Sequence, residues 1–539
     1  MYTSTRLGLL AVTLAIFLSI VGKFAGQPTL ADPFHSGEWL ASATNLYFGD
    51  ADAYRAVLIH GLSDILPALF SQTFWGLDQH FIPTLTIYRL VDLAAYLLLI
   101  TAALQLSQSR DVNCYVILLT IALIGPLLVG YRDFALLLAV NAFLLLQKPK
   151  THLYKMVLLQ ICFGLCTAFG IFWSGDRGLI GTVSLGVAVL LCLRQNKLFL
   201  ISLLTFIVST ISFENFSKLF SLERYLNNIL VLVASSSEWS YGLKIGPVVL
   251  TIFTFFVNTS AIIFCAKAYL ITARNRYTMP NFVLLCMLSI LMFKVAGINR
   301  ADLIHIYQSY WVPLLLLISV SSQNISIPIL NRHKSLIITT LGLSFFFALL
   351  TPWFGNSRYV SGALIACLII TFVNATRPDL LQLARNTMLA FLAFPFGYAA
   401  LTVGYRLYTA EYAWVSSLRA PPLNKSLVNS GILWSAEKLI EKDAKCIFDM
   451  SNNGVINTLA KLPTCTEFIY PVYSSPKYET KMLEQLRASS PPVVIYSSSS
   501  WSYNIDGRSM ADRFPKLDEY LRFYYPIEEC NLGYCLRFE

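Results

Sequence analysis

The sequence predicts an α-helical polytopic membrane protein of about 13 spans, with a small extracytoplasmic α/β domain at its C-terminus. Three observations carry this. Of 539 residues, 56% are hydrophobic and only 13% are charged, about half the charge of a soluble globular domain. Mean hydropathy is +0.60. Apolar runs long enough to span a bilayer recur through about the first 400 residues and then stop.

In order, the spans fall near 7–25, 84–106, 114–130, 134–147, 156–172, 179–193, 198–212, 246–271, 281–297, 306–322, 335–351, 359–375 and 387–404. The shorter ones must borrow flanking residues to cross. The first segment has no small-x-small cleavage site and reads as a retained anchor. With the N-terminus in the cytoplasm, the inside loops hold Arg110, Lys148, Lys150, Lys155, Arg194, Lys197, Arg274, Arg276, Arg332, Lys334, Arg377 and Arg385. The first outside loop holds Asp32, Glu38, Asp50, Asp52, Asp64 and Asp78 against Arg55 alone. That is the positive-inside pattern, and it accounts for much of the net charge of +10 without a nucleic-acid partner. An odd span count places the C-terminal domain outside. The chain thus divides into a transmembrane part, 1–404, with outside loop 26–83, and an extracytoplasmic domain, 405–539.

The first outside loop is too long for a plain connector. Leu40 to Phe48 and Ala53 to Phe74 alternate apolar and polar residues at helical spacing, so they predict interfacial helices lying on the membrane, with Trp39 as a headgroup anchor. The loop at 213–245 also reads as partly helical, from Glu214 to Val233. No internal repeat is evident, nor are there paired broken helices of the inverted-repeat transporter kind.

Beyond Tyr405, strands are predicted at Cys446–Met450, Glu467–Tyr470, Pro492–Tyr496 and Gly533–Phe538. Helices are predicted at Val455–Lys461, Lys477–Ala488 and Pro515–Tyr524. Seven cysteines, Cys114 to Cys367, fall in or beside spans and read as apolar packing. Cys446, Cys465, Cys530 and Cys535 fall in the outside domain, where an oxidising compartment favours two disulfides. Local pairing, Cys446 with Cys465 and Cys530 with Cys535, is the first of three connectivities.

Polar clusters gather at the outer ends of spans. Asp32, His35 and Glu38 follow the first span at intervals of three. Pro33 fits a first helical position, which places Asp32 at the N-cap, and a carboxylate beside an imidazole there suits acid–base or metal chemistry. The plain alternative is capping alone. His60 and Asp64 are four apart and face each other on a helix. Tyr131-Arg132-Asp133 reads first as a tight turn with a solvated pair. In Trp173-Ser-Gly-Asp176-Arg177-Gly178, backbone amides and a guanidinium at a helix start can hold a phosphate. Arg300, Asp302 and His305 repeat this chemistry at another span end. Lys294 lies within a span and reaches outward for a lipid phosphate. One-sided grouping points to a cavity at the outer face.

Together these features resemble the GT-C class of integral-membrane glycosyltransferases. The residues that carry the resemblance are Asp-Pro-Phe-His-Ser-Gly-Glu, Ser-Gly-Asp-Arg-Gly and Arg-Ala-Asp-Leu-Ile-His. The resemblance implies a glycosyltransferase of a bacterial inner membrane, moving a hexose or pentose from a polyprenyl-phosphate-linked donor to an extracytoplasmic glycan, lipid or protein. It implies Asp32 as catalytic carboxylate, with Glu38 and His35 beside it. Arg177, Arg300 and Lys294 then bind the donor phosphate, and His60, Asp64, Asp176, Asp302 and His305 line the site. Members that use Mg or Mn often have paired acids in this loop; here Pro33 follows Asp32, so metal use stays open. Two other classes compete. A surface-polysaccharide ligase or polymerase uses the same donor but needs no C-terminal α/β domain. A flippase or transporter calls for ionisable groups near the bilayer midplane.

Overall fold

The computed structural model describes residues 2–24, 32–49, 60–76, 81–107, 112–148, 152–194, 196–216, 221–239, 245–272, 279–298, 303–321, 357–376, 381–408 and 428–539. Helix α1 (Tyr2–Ser19) runs on into a π-helical turn, and α2 (Pro33–Phe48) and α3 (Leu66–Trp75) lie in the long connection that follows. Then come α4 (Phe81–Leu106), α5 (Val112–Leu128), α6 (Phe134–Leu146), α7 (Leu153–Trp173), α8 (Gly175–Leu193), α9 (Phe199–Phe216) and α10 (Leu222–Trp239). They are followed by α11 (Ile245–Thr272), α12 (Met279–Met292), α13 (Leu303–Tyr307), α14 (Trp311–Ser321), α15 (Ser357–Thr376) and α16 (Leu381–Tyr408).

Among the described residues, α4, α7 and α8 are each long and apolar enough to cross a bilayer. A fourth candidate is the pair α5–α6, bent by 109° at its break. Shorter apolar helices include Gly8–Lys23, Phe199–Asn215 and Met279–Val295. The span expected at 335–351 lies outside the described residues. The bend has a local cause: Pro126 sits in the last turn of α5, and the Gly130 N–H donates to Asp133 Oδ2 at 3.1 Å to close a 3₁₀ turn over Tyr131–Asp133. Helix α14 is apolar all round and every one of its residues is buried, as such a helix must be. It packs in one core with Tyr96 of α4, Ile121 of α5 and Phe143 of α6.

Helix α2 departs from the expected interfacial helix. Phe34, Ser36, Gly37, Glu38 and Leu40 to Thr44 are buried, and it is clasped by the C-terminal domain. Trp39 is not a headgroup anchor: it stacks on Tyr88 of α4 with centroids 4.0 Å apart.

The C-terminal domain contains α17 (Ser430–Glu441), α18 (Val455–Ala460), α19 (Glu479–Ser489), β1 (Val493–Ser498), α20 (Met510–Arg513), α21 (Pro515–Tyr524), β2 (Ile527–Asn531) and β3 (Tyr534–Phe538). The sheet is antiparallel in the order β1-β3-β2, with Val493 and Ile527 both opposite Phe538. Leu532 and Gly533, at φ of 49° and 82°, make the hairpin turn, a conformation that glycine adopts freely. Disulfides join Cys446 to Cys465 and Cys530 to Cys535.

Two expected strands are absent. Cys446–Met450 makes only isolated bridges, Ile447 to Thr464 and Asp449 to Ile495. Glu467–Tyr470 is not a strand, because side chains take its amides: Glu467 N donates to Gln485 Oε1 and Phe468 N to Thr466 Oγ1. Strand β2 is exposed throughout and charged, so it carried no apolar alternation to read.

Candidate active site

The first turn of α2 is built by Asp32. Its backbone is extended, and Oδ1 accepts the N–H groups of Phe34 at 3.2 Å and His35 at 3.4 Å. Pro33 supplies the first helical position, where no N–H is needed. The other oxygen, Oδ2, lies 2.6 Å from His35 Nδ1, with the two side chains 43% and 41% exposed. Asp32 therefore caps and also faces solvent beside an imidazole. Burial alone would raise its pKa; the His35 hydrogen bond and charge, with the two backbone N–H groups, outweigh burial and hold the carboxyl below its ordinary value. Glu38, one turn beyond His35, is buried.

The C-terminal domain closes over this turn. Tyr470 Oη donates to Phe34 O at 2.8 Å and accepts the Gly454 N–H at 2.9 Å. Burial first, then the charge of Glu38, raises the Tyr470 pKa well above that of a free phenol, so the hydroxyl stays a donor. The Trp501 ring centroid lies 5.1 Å from Phe34 and 6.3 Å from His35.

Beneath α2 lies a second polar group. His60 Nδ1 is 3.0 Å from Asp64 Oδ1, and the His60 N–H donates to Oδ2 at 3.0 Å. Tyr131 Oη, which accepts from Trp39 Nε1 at 3.1 Å, donates to Asp64 Oδ1 at 3.3 Å. Trp173 Nε1 donates to Tyr131 O, and Gly175 N to His60 O. Burial and then the Arg132 charge lower the His60 pKa against the opposing pull of Asp64, which keeps the ring neutral at pH 7 with its Nδ1–H on Asp64.

Arg132, Asp176, Arg177 and Asp133 alternate in sign beside it. Arg132 pairs with Asp176, and Arg177 Nε lies 3.3 Å from Asp133 Oδ1 and 3.8 Å from Asp176 Oδ2. Arg177 Nη2 also donates to Gln308 Oε1 at 2.8 Å, and Nη1 contacts Met292 Sδ. The Arg177 side chain is 1% exposed. Arg177 is thus engaged with Asp133 and Gln308, and a phosphate bound there would have to displace Asp133. Tyr131-Arg132-Asp133, read from sequence as a solvated turn, is instead the hinge of this network. Gln308 went unnoticed because neutral amides carry no local motif.

Of the remaining expected residues, Asp302 and Arg300 lie outside the described residues, as do Asp50 and Asp52. His305 is half-buried on α13, and Lys294 is exposed on the π-helical turn Phe293–Ile298. A groove of about 860 Å³ lies between α10 and the C-terminal domain, lined by Asn227, Asn228, Thr466, Tyr478 and Gln485 among others. None of its lining residues belongs to the Asp32 or His60 groups.

Among the described residues, Asp32, His35 and Glu38 do not converge as metal ligands. The one convergent set is Glu528, Cys530 and Cys535, and a disulfide consumes both sulfurs. Mg and Mn favour several oxygen ligands in octahedral array. Asp32, with both oxygens already in hydrogen bonds, does not offer that set.

In overall fold the chain is similar to solved structures. The Archaeoglobus fulgidus oligosaccharyltransferase tethered to an acceptor peptide is 13% identical, covers 97% of this chain and 72% of its own, and has a TM-score of 0.50. ArnT from Cupriavidus metallidurans bound to undecaprenyl phosphate is 10% identical over 99% of this chain and 98% of its own, at a TM-score of 0.48. The fold is GT-C. The A. fulgidus enzyme, named AglB, is also known in complex with an inhibitory peptide and a dolichol-phosphate, at 11% identity over 97% of this chain and 72% of that one, with a TM-score of 0.48. No protein-family model and no curated sequence matches the chain.

Proposed function

We propose that the protein is a membrane glycosyltransferase that moves a sugar from a polyprenyl-phosphate-linked donor to an extracytoplasmic acceptor. Its bacterial setting and its orientation, N-terminus cytoplasmic and C-terminal domain outside, belong to the same proposal. The observation that supports it most is Asp32. This carboxylate is fixed by two backbone N–H groups, hydrogen-bonded through Oδ2 to His35, and 43% exposed.

In a single displacement, the acceptor hydroxyl attacks the anomeric carbon while the bond from that carbon to the phosphate oxygen breaks. The acceptor proton passes to Asp32, and the polyprenyl phosphate leaves as the anion. Such a base contributes about 10²- to 10⁴-fold. His35 orients the carboxylate and, with the two backbone N–H groups, favours its charged form. The donor phosphate falls to Arg300 and Lys294, by their sequence position at the outer end of α12. His60, Asp64 and Asp176 shape the floor on which α2 rests. Charge at the outer ends of helices speaks against a flippase, which needs it near the midplane.

The test is transfer of labelled sugar from a polyprenyl-phosphate-linked pool by purified protein in nanodiscs. Transfer that Asp32→Asn abolishes supports the proposal. Asp32-independent transfer, or none, overturns it.

A further inference from the structure

Trp501 carries an inference about what the acceptor is, and it rests on the glycosyltransferase reading. We propose that the acceptor is a saccharide, whose pyranose ring docks on the indole of Trp501 while its hydroxyl reaches Asp32.

Trp501 is 47% exposed, although an indole buried in a core removes about 150–250 Å² from water. Its exposure is fixed by the surrounding turn. Ser499 N donates to Gly533 O, Asn504 N to Trp501 O, and Ser502 Oγ to Ser451 O, while Asn452 Nδ2 donates to Ser502 O. A turn so fully bonded holds the ring out instead of letting it fold back. The ring borders Phe34 and His35, and His35 holds the carboxylate that takes the acceptor proton. A group beside His35 and Asp32 stands where the acceptor hydroxyl must approach in the proposed step.

The chemistry of the surroundings selects the class. Tyr496 to Ile505 contains no charged residue and five serines. A flat, exposed apolar ring in an uncharged turn matches a pyranose, which shows C–H groups on its face. An anionic acceptor calls for cations, which this turn lacks. The competing role is an interfacial anchor, because tryptophan is enriched at membrane surfaces.

The test uses full-length protein in nanodiscs, the polyprenyl-phosphate-linked sugar pool as donor, and two acceptor fractions from the same membranes, glycolipid and protein. Trp501→Leu keeps an apolar side chain but loses the flat ring; Trp501→Tyr keeps a ring. We expect label in the glycolipid fraction, a roughly fivefold to tenfold rise in acceptor KM for Trp501→Leu with kcat and donor KM unchanged, and near-wild-type values for Trp501→Tyr. Equal kinetics for the two variants, a shift in donor KM instead, or label only in the protein fraction overturns the assignment. Retained thermal stability of Trp501→Leu separates these results from misfolding. Loss of all Asp32-dependent transfer in the wild type overturns the glycosyltransferase reading itself, and this inference with it.

Discussion

Gly37 of α2 and Gly454 of the C-terminal domain meet backbone to backbone. A Cβ on Gly37 would sit 2.7 Å from Gly454 N and 2.9 Å from Val455 N, and would collide with Tyr470 Oη. Backbone atoms cannot yield as a flexible side chain can. Gly37→Ala should therefore cost about 1–3 kcal/mol and loosen the clasp on α2. Limited proteolysis in nanodiscs should cut the variant's C-terminal domain faster than the wild type's. Unchanged cleavage and melting would show that the contact relaxes freely.

Asp32 has two jobs that one substitution separates. Asparagine caps a helix about as well as aspartate but cannot take a proton. Asp32→Asn should keep the melting temperature within a degree or two and lose at least 100-fold in transfer rate. Asp32→Ala should lose both activity and about 1 kcal/mol of stability. Because the Asp32 pKa is lowered, its contribution to stability is full above the ordinary carboxylate value and is lost as pH falls through the lowered one. The acid limb of the rate profile should follow that lowered value, and His35→Ala should move the limb to higher pH.

The membrane class, the C-terminal domain and its cysteine pairs were legible because hydropathy, charge asymmetry and cysteine spacing are local signals. The cap at Asp32 was legible for the same reason, since Pro33 marks the helix start. The burial of α2 was not. It was expected to lie on the membrane, yet most of its residues are buried and Phe34, Gly37 and Thr44 meet the C-terminal domain, and a partner more than 400 residues away leaves no periodic trace. The burial of Arg177 was not legible either, because an arginine at a helix start looks the same whether it awaits a phosphate or already holds Asp133. The absent strand at Glu467–Tyr470 is a contest between backbone and side-chain hydrogen bonds that composition does not decide.

His60 gives a pH dependence of definite sign. Its folded pKa is lowered, so the unfolded chain binds more protons in the window below about 6.5. Its contribution to stability is full above that value and is lost as pH falls through it. Asp449 acts oppositely: burial raises it to about 6, so its contribution is full below the ordinary carboxylate value and fades as pH rises through 6. The His60 term is isolated by subtracting His60→Asn, whose amide can still donate to Asp64. The difference in melting temperature between wild type and His60→Asn should shift in the variant's favour from pH 7.5 to pH 5.5. A flat difference would mean that the imidazole has the same pKa folded and unfolded, and a shift in the wild type's favour would mean that it is charged in the folded protein.

The buried pair of Arg177 and Asp133 tests whether the guanidinium is structural. Each side chain is at most 2% exposed, so removing one partner strands the other's charge away from water. Asp133→Asn should cost about 3–5 kcal/mol, and Arg177→Gln a similar amount. Combining them removes both charges, and the loss should then fall well short of the sum, because a stranded charge is counted in each single variant but absent from the double. Arg177→Lys should recover only part of the stability, since an ammonium cannot reach Asp133 and Gln308 in the planar geometry that the guanidinium uses. Melting of the four proteins in nanodiscs measures the cycle. Additive losses would mean that the two charges do not depend on each other. A mild effect of Arg177→Gln on stability, together with a large rise in donor KM, would return Arg177 to the phosphate site.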